Sequence, residues 1–272
     1  MLRAAGGHMG RFDGKAGFVT GGGTGLGLAC AKAIVAEGGR VVLASRRQEV
    51  LERAAAELGS AADYTVCDVA RDESVDAAVT AAEERLGGLD LAVNAAGVGG
   101  LGSVLNSSSS EFSLTLDTNL TGVYRCMRRE AQAMKRRGGG AIVNVSSIAG
   151  TLTHRWMTSY CASKAGVNML TRCAADDLGE HGIRVNAVMP GLVPTDLAAP
   201  LAGHPDARAE YESLMPLARL GTPEDVAALV AFLLCDDAGW ITGQCIGVDG
   251  GHTIRKGPDL VPLFRQILPE ER

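Results

Sequence analysis

Phe18-Val19-Thr20-Gly21-Gly22-Gly23-Thr24-Gly25-Leu26-Gly27 runs directly into a helical pattern from Leu28 to Glu37. Phe18 to Thr20 reads as a short apolar strand. The glycines after it permit a tight turn and let the backbone approach a ligand closely. Gly38-Gly39 stands where such a helix takes its C-cap. Strand, glycine-rich turn and helix, in that order, form a phosphate cradle. The helix N-terminus offers unpaired N–H groups and positive potential to a pyrophosphate. The spacing from Thr20 to Gly27 is Thr-Gly-x-x-x-Gly-x-Gly, not G-x-G-x-x-G. A glycine cluster alone is often a mere loop. Its place between strand and helix assigns Gly21, Gly23, Thr24, Gly25, Leu26 and Gly27 to a dinucleotide.

The same alternation continues outward. Val41 to Ala44 is a second strand, and Ser45-Arg46-Arg47 follows it. At this position a carboxylate holds a free ribose 2′-OH, whereas an Arg accommodates a 2′-phosphate. Ser45, Arg46 and Arg47 therefore favour NADP(H), with NAD(H) as the alternative. Gln48 to Leu58 is a helix. Tyr64 to Cys67 is a third strand, ending at Asp68-Val69, where Asp68 either meets an adenine or caps the helix Asp72 to Leu86. Leu89 to Val93 is a fourth strand, and Asn94-Ala95-Ala96-Gly97 supplies small residues against which a cofactor can lie. Glu111 to Met134 is a long helical pattern interrupted by Asn119. An amide there predicts either a local irregularity or a buried, satisfied side chain. Ala141 to Val145 is the fifth strand, Ile183 to Val188 the sixth and Gln244 to Val248 the seventh. The repeated β-α pattern predicts an α/β fold: a doubly wound, seven-stranded parallel sheet with helices on both faces. Ligands of such sheets gather at the carboxyl ends of the strands.

At one such end the sequence reads Ser147-Ile-Ala-Gly-Thr-Leu-Thr-His154-Arg-Trp156-Met-Thr-Ser-Tyr160-Cys-Ala-Ser-Lys164. Tyr160 and Lys164 are four apart, on one face of the helix Ser159 to Leu178. An ammonium beside a phenol favours the phenolate, which predicts a Tyr160 pKa below the free value of about 10. A phenol so tuned serves as a general acid or base. The bland reading, a solvated helix face, holds for most such pairs. Here Ser147, closing the fifth strand, adds a hydroxyl. Leu192 to Leu220 carries Pro194, Pro200, Pro205 and Pro216, and lies where a substrate lid belongs.

Composition excludes other classes. The 272 residues carry a net charge of −5 and are 46% apolar, enough for one large domain with a sizeable core. No basic stripe supports nucleic-acid binding; Arg128, Arg129, Lys135, Arg136 and Arg137 crowd a helix end, where the dipole favours cations. Five scattered His residues give a metal no support, and seven scattered Cys residues read as reduced thiols of a cytoplasmic protein. No apolar run is long enough to span a membrane, and Met1 to Gly10 lacks a secretory apolar segment. The expected organisation is a flexible lead-in over 1–12, one domain over 13–253 with its lid at about 192–220, and a tail over 254–272.

Taken together, these motifs resemble the short-chain dehydrogenase/reductase superfamily, among them members acting as 3-oxoacyl-carrier-protein reductases or gluconate and glucose dehydrogenases. The matches are the Thr20–Gly27 loop, Asp68, Asn94 to Gly97, Asn119, Ser147, Tyr160 with Lys164, Pro190-Gly191 with Thr195, and Asp249-Gly250-Gly251. Ala95 departs from the family's usual second Asn. The resemblance implies a single Rossmann-type domain and a catalytic set of Asn119, Ser147, Tyr160 and Lys164. In it Tyr160 exchanges the proton, Lys164 lowers the Tyr160 pKa and holds the nicotinamide ribose, Ser147 orients the substrate oxygen, and Asn119 holds a relaying water. Ser146 is the rival serine; the family's spacing to the Tyr favours Ser147. Asp68, Val69, Asn94, Ala95, Ala96, Gly97, Pro190, Gly191, Val193 and Thr195 are implied to flank the cofactor. His154 and Trp156 are candidate contacts for a small-molecule alcohol or ketone. A homotetramer is implied, with a dimer as the alternative, and tail residues are candidates for subunit contacts. Two other functions compete: reduction of a 3-oxoacyl group on a carrier protein, needing a basic docking patch of Arg125, Arg128 and Arg129, and a non-catalytic dinucleotide-binding regulator.

Overall fold

The computed structural model describes residues 10–255. Seven strands form one sheet in the order β3-β2-β1-β4-β5-β6-β7, all parallel. They are β1 (Ala16–Thr20), β2 (Arg40–Ser45), β3 (Ala62–Val66), β4 (Leu91–Asn94), β5 (Gly140–Val145), β6 (Ile183–Pro190) and β7 (Cys245–Val248). Every residue of β1 and β4 is buried. A strand covered on both faces has no polar side to alternate with, so it reads as an unbroken apolar run.

Helices cover both faces. On one lie α1 (Gly25–Ala36), α2 (Gln48–Leu58) and α9 (Pro223–Leu234), where Ala31, Ile34, Leu51, Val226 and Val230 pack on Val19, Leu43 and Val143. On the other lie α3 (Asp72–Leu86), α5 (Gly122–Arg137) and α6 (Thr158–Leu178), where Val75, Val79, Met127 and Val167 meet Phe18, Val42 and Ile142. Each such side chain contributes about 1.5–3 kcal/mol through the water it sheds. α9 begins with Pro223 in the first turn and a reciprocal Thr222–Asp225 cap.

The expected helix Glu111 to Met134 is two helices. α4 (Ser109–Leu116) is followed by a π-helical turn over Asp117–Thr121 before α5 starts. The Gly122 N–H reaches Asp117 O, an i→i+5 bond that inserts one residue and turns Asn119 fully inward. The packed chain also begins before residue 13. Phe12 is buried in the core and Arg11 pairs with Glu37, so only the first nine residues of the expected lead-in lie outside the described residues. Residues 256–272, most of the expected tail and its proposed subunit contacts, also lie outside them. Segment 192–220 forms α7 (Ala199–Ala202) and α8 (Pro205–Leu214), held by a small cluster of Leu192, Met215 and Leu220.

Candidate active site

The strand order reverses between β1 and β4, and a cavity of about 460 Å³ opens at their carboxyl ends. The glycine loop forms one wall. Gly21 has φ +66°, and a Cβ there would lie 2.8 Å from the Ala95 carbonyl. Gly27 is tighter: a Cβ would meet the Gly21 oxygen at 2.3 Å. The turn is thus packed backbone against backbone. Thr24, the N-cap of α1, makes no side-chain cap, and the first turn carries no carboxylate, so the N–H groups there are left for an anion. Gly27→Ala should cost about 1–3 kcal/mol by forcing the two backbones apart. Urea denaturation would read that loss, and titration of the variant with a nicotinamide dinucleotide should show weakened binding alongside it.

Ser45, Arg46, Arg47, Asp68 and Val69 line the far end of the cavity. Ser45 Oγ is buried without a hydrogen-bond partner, and neither Arg46 nor Arg47 has an ion pair among the described residues. A hydroxyl and two free guanidinium groups fit a phosphate. Asp68 does not cap α3: its Oδ1 accepts from the Ala70 N–H, and Arg71 holds the cap position. Asn94, expected to flank the cofactor, does not face the cavity. It is buried, and its Nδ2 donates to Glu130 Oε2 at 2.9 Å and Asn144 Oδ1 at 3.1 Å. Ala95, Ala96 and Gly97 do line the wall, as do Pro190, Gly191, Val193 and Thr195.

Ser147, Tyr160 and Lys164 meet at the near end of the cavity. Ser147 Oγ accepts from the Ala149 N–H, which fixes its rotamer, whereas Ser146 is buried and donates to Lys164 O. Lys164 Nζ donates to Val145 O at 2.8 Å and lies 5.6 Å from the Tyr160 ring centroid. Burial pushes its ammonium down to about 8. The expected lowering of the Tyr160 pKa is absent here. Burial raises it, with the Ser147 hydroxyl pulling the other way. Helical spacing gave the two side chains a common face, but the ammonium is turned toward a strand carbonyl and both groups are desolvated.

Asn119 supports this corner from behind. Its Oδ1 accepts from the Val98 N–H at 2.8 Å, and its Nδ2 donates to Val98 O and Ser163 Oγ. The amide is committed to stapling the Val98 backbone, so its side chain is not free for the water-holding role the resemblance implies. Trp156 is a further correction. Its φ is +65°, the residue is 56% exposed, and it is not part of the cavity wall. His154 is. Thr118, Met157 and Tyr211 also line the cavity without having been singled out. Among the described residues no cluster of His, Cys, Asp or Glu could hold a metal, and no helix is long and apolar enough to cross a membrane.

The family model described as Enoyl-(Acyl carrier protein) reductase matches residues 21–253. A short-chain type dehydrogenase/reductase structure from Mycobacterium ulcerans superposes with a TM-score of 0.87 at 36% identity, covering 94% of this chain and 96% of that one. The chain belongs to the short-chain dehydrogenase/reductase superfamily. It is also 40% identical over 242 residues, 86% of this chain and 95% of the relative, to 2-(S)-hydroxypropyl-CoM dehydrogenase 3 of Xanthobacter autotrophicus. A single-site variant of actinorhodin polyketide ketoreductase, solved with NADPH, superposes with a TM-score of 0.84 at 35% identity, covering 88% and 97% of the two chains. This short-chain dehydrogenase/reductase is accordingly an alcohol dehydrogenase or ketoreductase with a nucleotide-binding fold.

Proposed function

We propose that the protein is an NADP(H)-dependent oxidoreductase of secondary alcohols and ketones, with Tyr160 as its general acid and base. One observation carries the reading: Ser147, Tyr160 and Lys164 converge in the same cavity as the glycine loop. The glycine turn and the α1 N-terminus would hold the pyrophosphate, Arg46 and Arg47 the 2′-phosphate, and Pro190 to Thr195 the nicotinamide end. Bound there, the nicotinamide gives or takes the hydride. Ser147 Oγ fixes the substrate oxygen and steadies charge that develops on it. Tyr160 Oη gives a proton to that oxygen in reduction and takes it in oxidation. Lys164, its ammonium held by Val145 O, would hold the nicotinamide ribose beside the phenol.

The carrier-protein alternative is disfavoured by its own docking residues. Arg125 pairs with Asp72 and Asp117, Arg128 with Asp72, and Arg129 with Asp76, so the patch is neutralised in place. A homotetramer is supported by the apolar side chains that α5 and α6 leave exposed, Tyr124 and Met169 among them. For the cofactor, NADPH should bind more tightly than NADH, and Arg46→Ala should weaken NADPH by about tenfold or more while sparing NADH. Fluorescence titration of both dinucleotides with both proteins checks this. Tighter binding of NADH by the unaltered protein would reverse the assignment of Arg46.

A further inference from the structure

The cavity wall also carries an aromatic pair that the proposed chemistry does not use. His154 stacks on Tyr211 of α8, with ring centroids 6.2 Å apart and planes 25° from parallel. Tyr211 also meets His252 edge-on, at 5.5 Å and 69°. His252 is buried and follows a rigid turn, in which Asp249 accepts from the N–H groups of Gly251 and Thr253. Two further bonds tie this turn to the lid: Leu217 N–H to Gly250 O, and the Arg255 guanidinium to Ser213 O. Tyr211 thus contacts two rings, and the lid is tied to the turn that carries one of them. This is the arrangement of a preorganised contact.

Both members of the pair have polar atoms to spare. His154 Nδ1 lies 3.2 Å from Leu152 O. A carbonyl can only accept, so Nδ1 carries a proton, and Nε2 has no hydrogen-bond partner among the described residues. Tyr211 has no hydrogen bond acting on its hydroxyl among the described residues, yet it lies near enough to Tyr160 for its charge to bear on that phenol. Leu101, Met157, Leu197 and Leu201 give the cavity apolar lining. Its Lys and Arg residues are Arg46, Arg47 and Lys164, all assigned above to the dinucleotide and the reacting corner. Asp196 also lines the cavity and opposes an anion. A ligand here needs an apolar body and a second polar group without charge.

We infer that His154 and Tyr211 form a second polar anchor, and that the substrate is an uncharged secondary alcohol with an apolar body bearing another hydroxyl or oxo group. The inference rests on the assignment of Ser147, Tyr160 and Lys164 as the reacting corner. Tyr211 and His154 select the substrate there and leave the chemistry to that corner.

The test compares oxidation of cyclohexanol and cyclohexane-1,4-diol by the unaltered protein, Tyr211→Phe and His154→Phe. Phe keeps the stacked rings and removes the polar atoms. One neutral hydrogen bond corresponds to about threefold to tenfold. The unaltered protein should therefore favour the diol in kcat/KM by roughly that factor for each anchor atom engaged. Each variant should lose about threefold to tenfold more on the diol than on cyclohexanol, so that the preference for the diol falls by that factor. Equal effects on both substrates, or no effect on either, overturn the anchor while leaving the redox corner intact. No turnover of these or any other secondary alcohol by the unaltered protein overturns both. Thermal melting of the variants alongside separates a lost contact from a lost fold.

Discussion

Tyr160→Phe should lower kcat for alcohol oxidation by about 10²–10⁴-fold, the range a positioned proton acceptor contributes, while leaving dinucleotide affinity nearly unchanged. Phe keeps the ring that lies 5.6 Å from the Lys164 ammonium and removes only the hydroxyl beside Ser147. The helix and the cavity wall therefore persist, and the loss falls on the proton step. A pH profile sharpens the expectation. Burial raises the Tyr160 pKa, so the phenolate that oxidation needs is scarce at neutral pH. Oxidation by the unaltered protein should climb as pH rises above 7. Reduction draws on the protonated phenol and should hold level over the same range. The residual activity of Tyr160→Phe should show neither contrast. Steady-state rates in both directions between pH 6 and 10, with cofactor titrations beside them, are the measurement. Wild-type rates in the variant would remove Tyr160 from the proton step.

The fold was legible because its strands are buried on both faces. An apolar run such as Leu91–Val93 bounded by Gly87-Gly88 and Asn94 admits few other readings. The glycine loop was legible for a related reason: at Gly21 and Gly27 the backbone leaves no room for a Cβ, and only one residue type meets that demand. What the sequence hid was direction. Helical spacing places Tyr160 and Lys164 on one face but says nothing about where an ammonium at the end of four methylenes points, and it found Val145 O. Asn94 stands at the end of β4 beside residues that do line the cavity, yet the pleat turns it into the core. Trp156 was read as a contact from proximity in the chain, and a left-handed backbone swings it outward. Tyr211 lies in the expected lid segment, but nothing in the sequence singled it out within that segment. It sits on a short helix among prolines, and its partners His154 and His252 are far from it in sequence.

Asn94 leads to the second large effect, which concerns stability. Glu130 is completely buried in α5, and its carboxyl meets Asn94 Nδ2, with Oε1 left unpartnered. Burial pushes it up to about 8 against an ordinary value of 4.5, and Asn94 only partly offsets this. The nearby thiols of Cys67 and Cys126 are raised as well, so they bring no charge to it at neutral pH. The folded protein therefore holds a proton on Glu130 that the unfolded chain releases above about pH 4.5. Where the native state binds more protons, stability falls as pH rises. The decline attributable to Glu130 should run from about pH 4.5 to about 8 and then level off. Glu130→Gln mimics the protonated carboxyl and cannot ionise. It should match the unaltered protein within about 1 kcal/mol at pH 5 and be the more stable of the two at pH 8. Glu130→Ala leaves a void between α5 and the sheet and removes the Asn94 contact, and should cost about 2–4 kcal/mol against Glu130→Gln at every pH. Urea unfolding of the three proteins at pH 5, 6.5 and 8 resolves these cases. A stability difference between the unaltered protein and Glu130→Gln that does not change with pH would mean the carboxyl is charged in the fold. Because Asn94 also bonds Asn144, and Asn144 bonds Thr171 of α6, the same network joins α5, β4 and β5 to the helix that carries Tyr160 and Lys164. Loosening it in Glu130→Ala should therefore broaden the geometry of the reacting corner as well as lower the melting temperature.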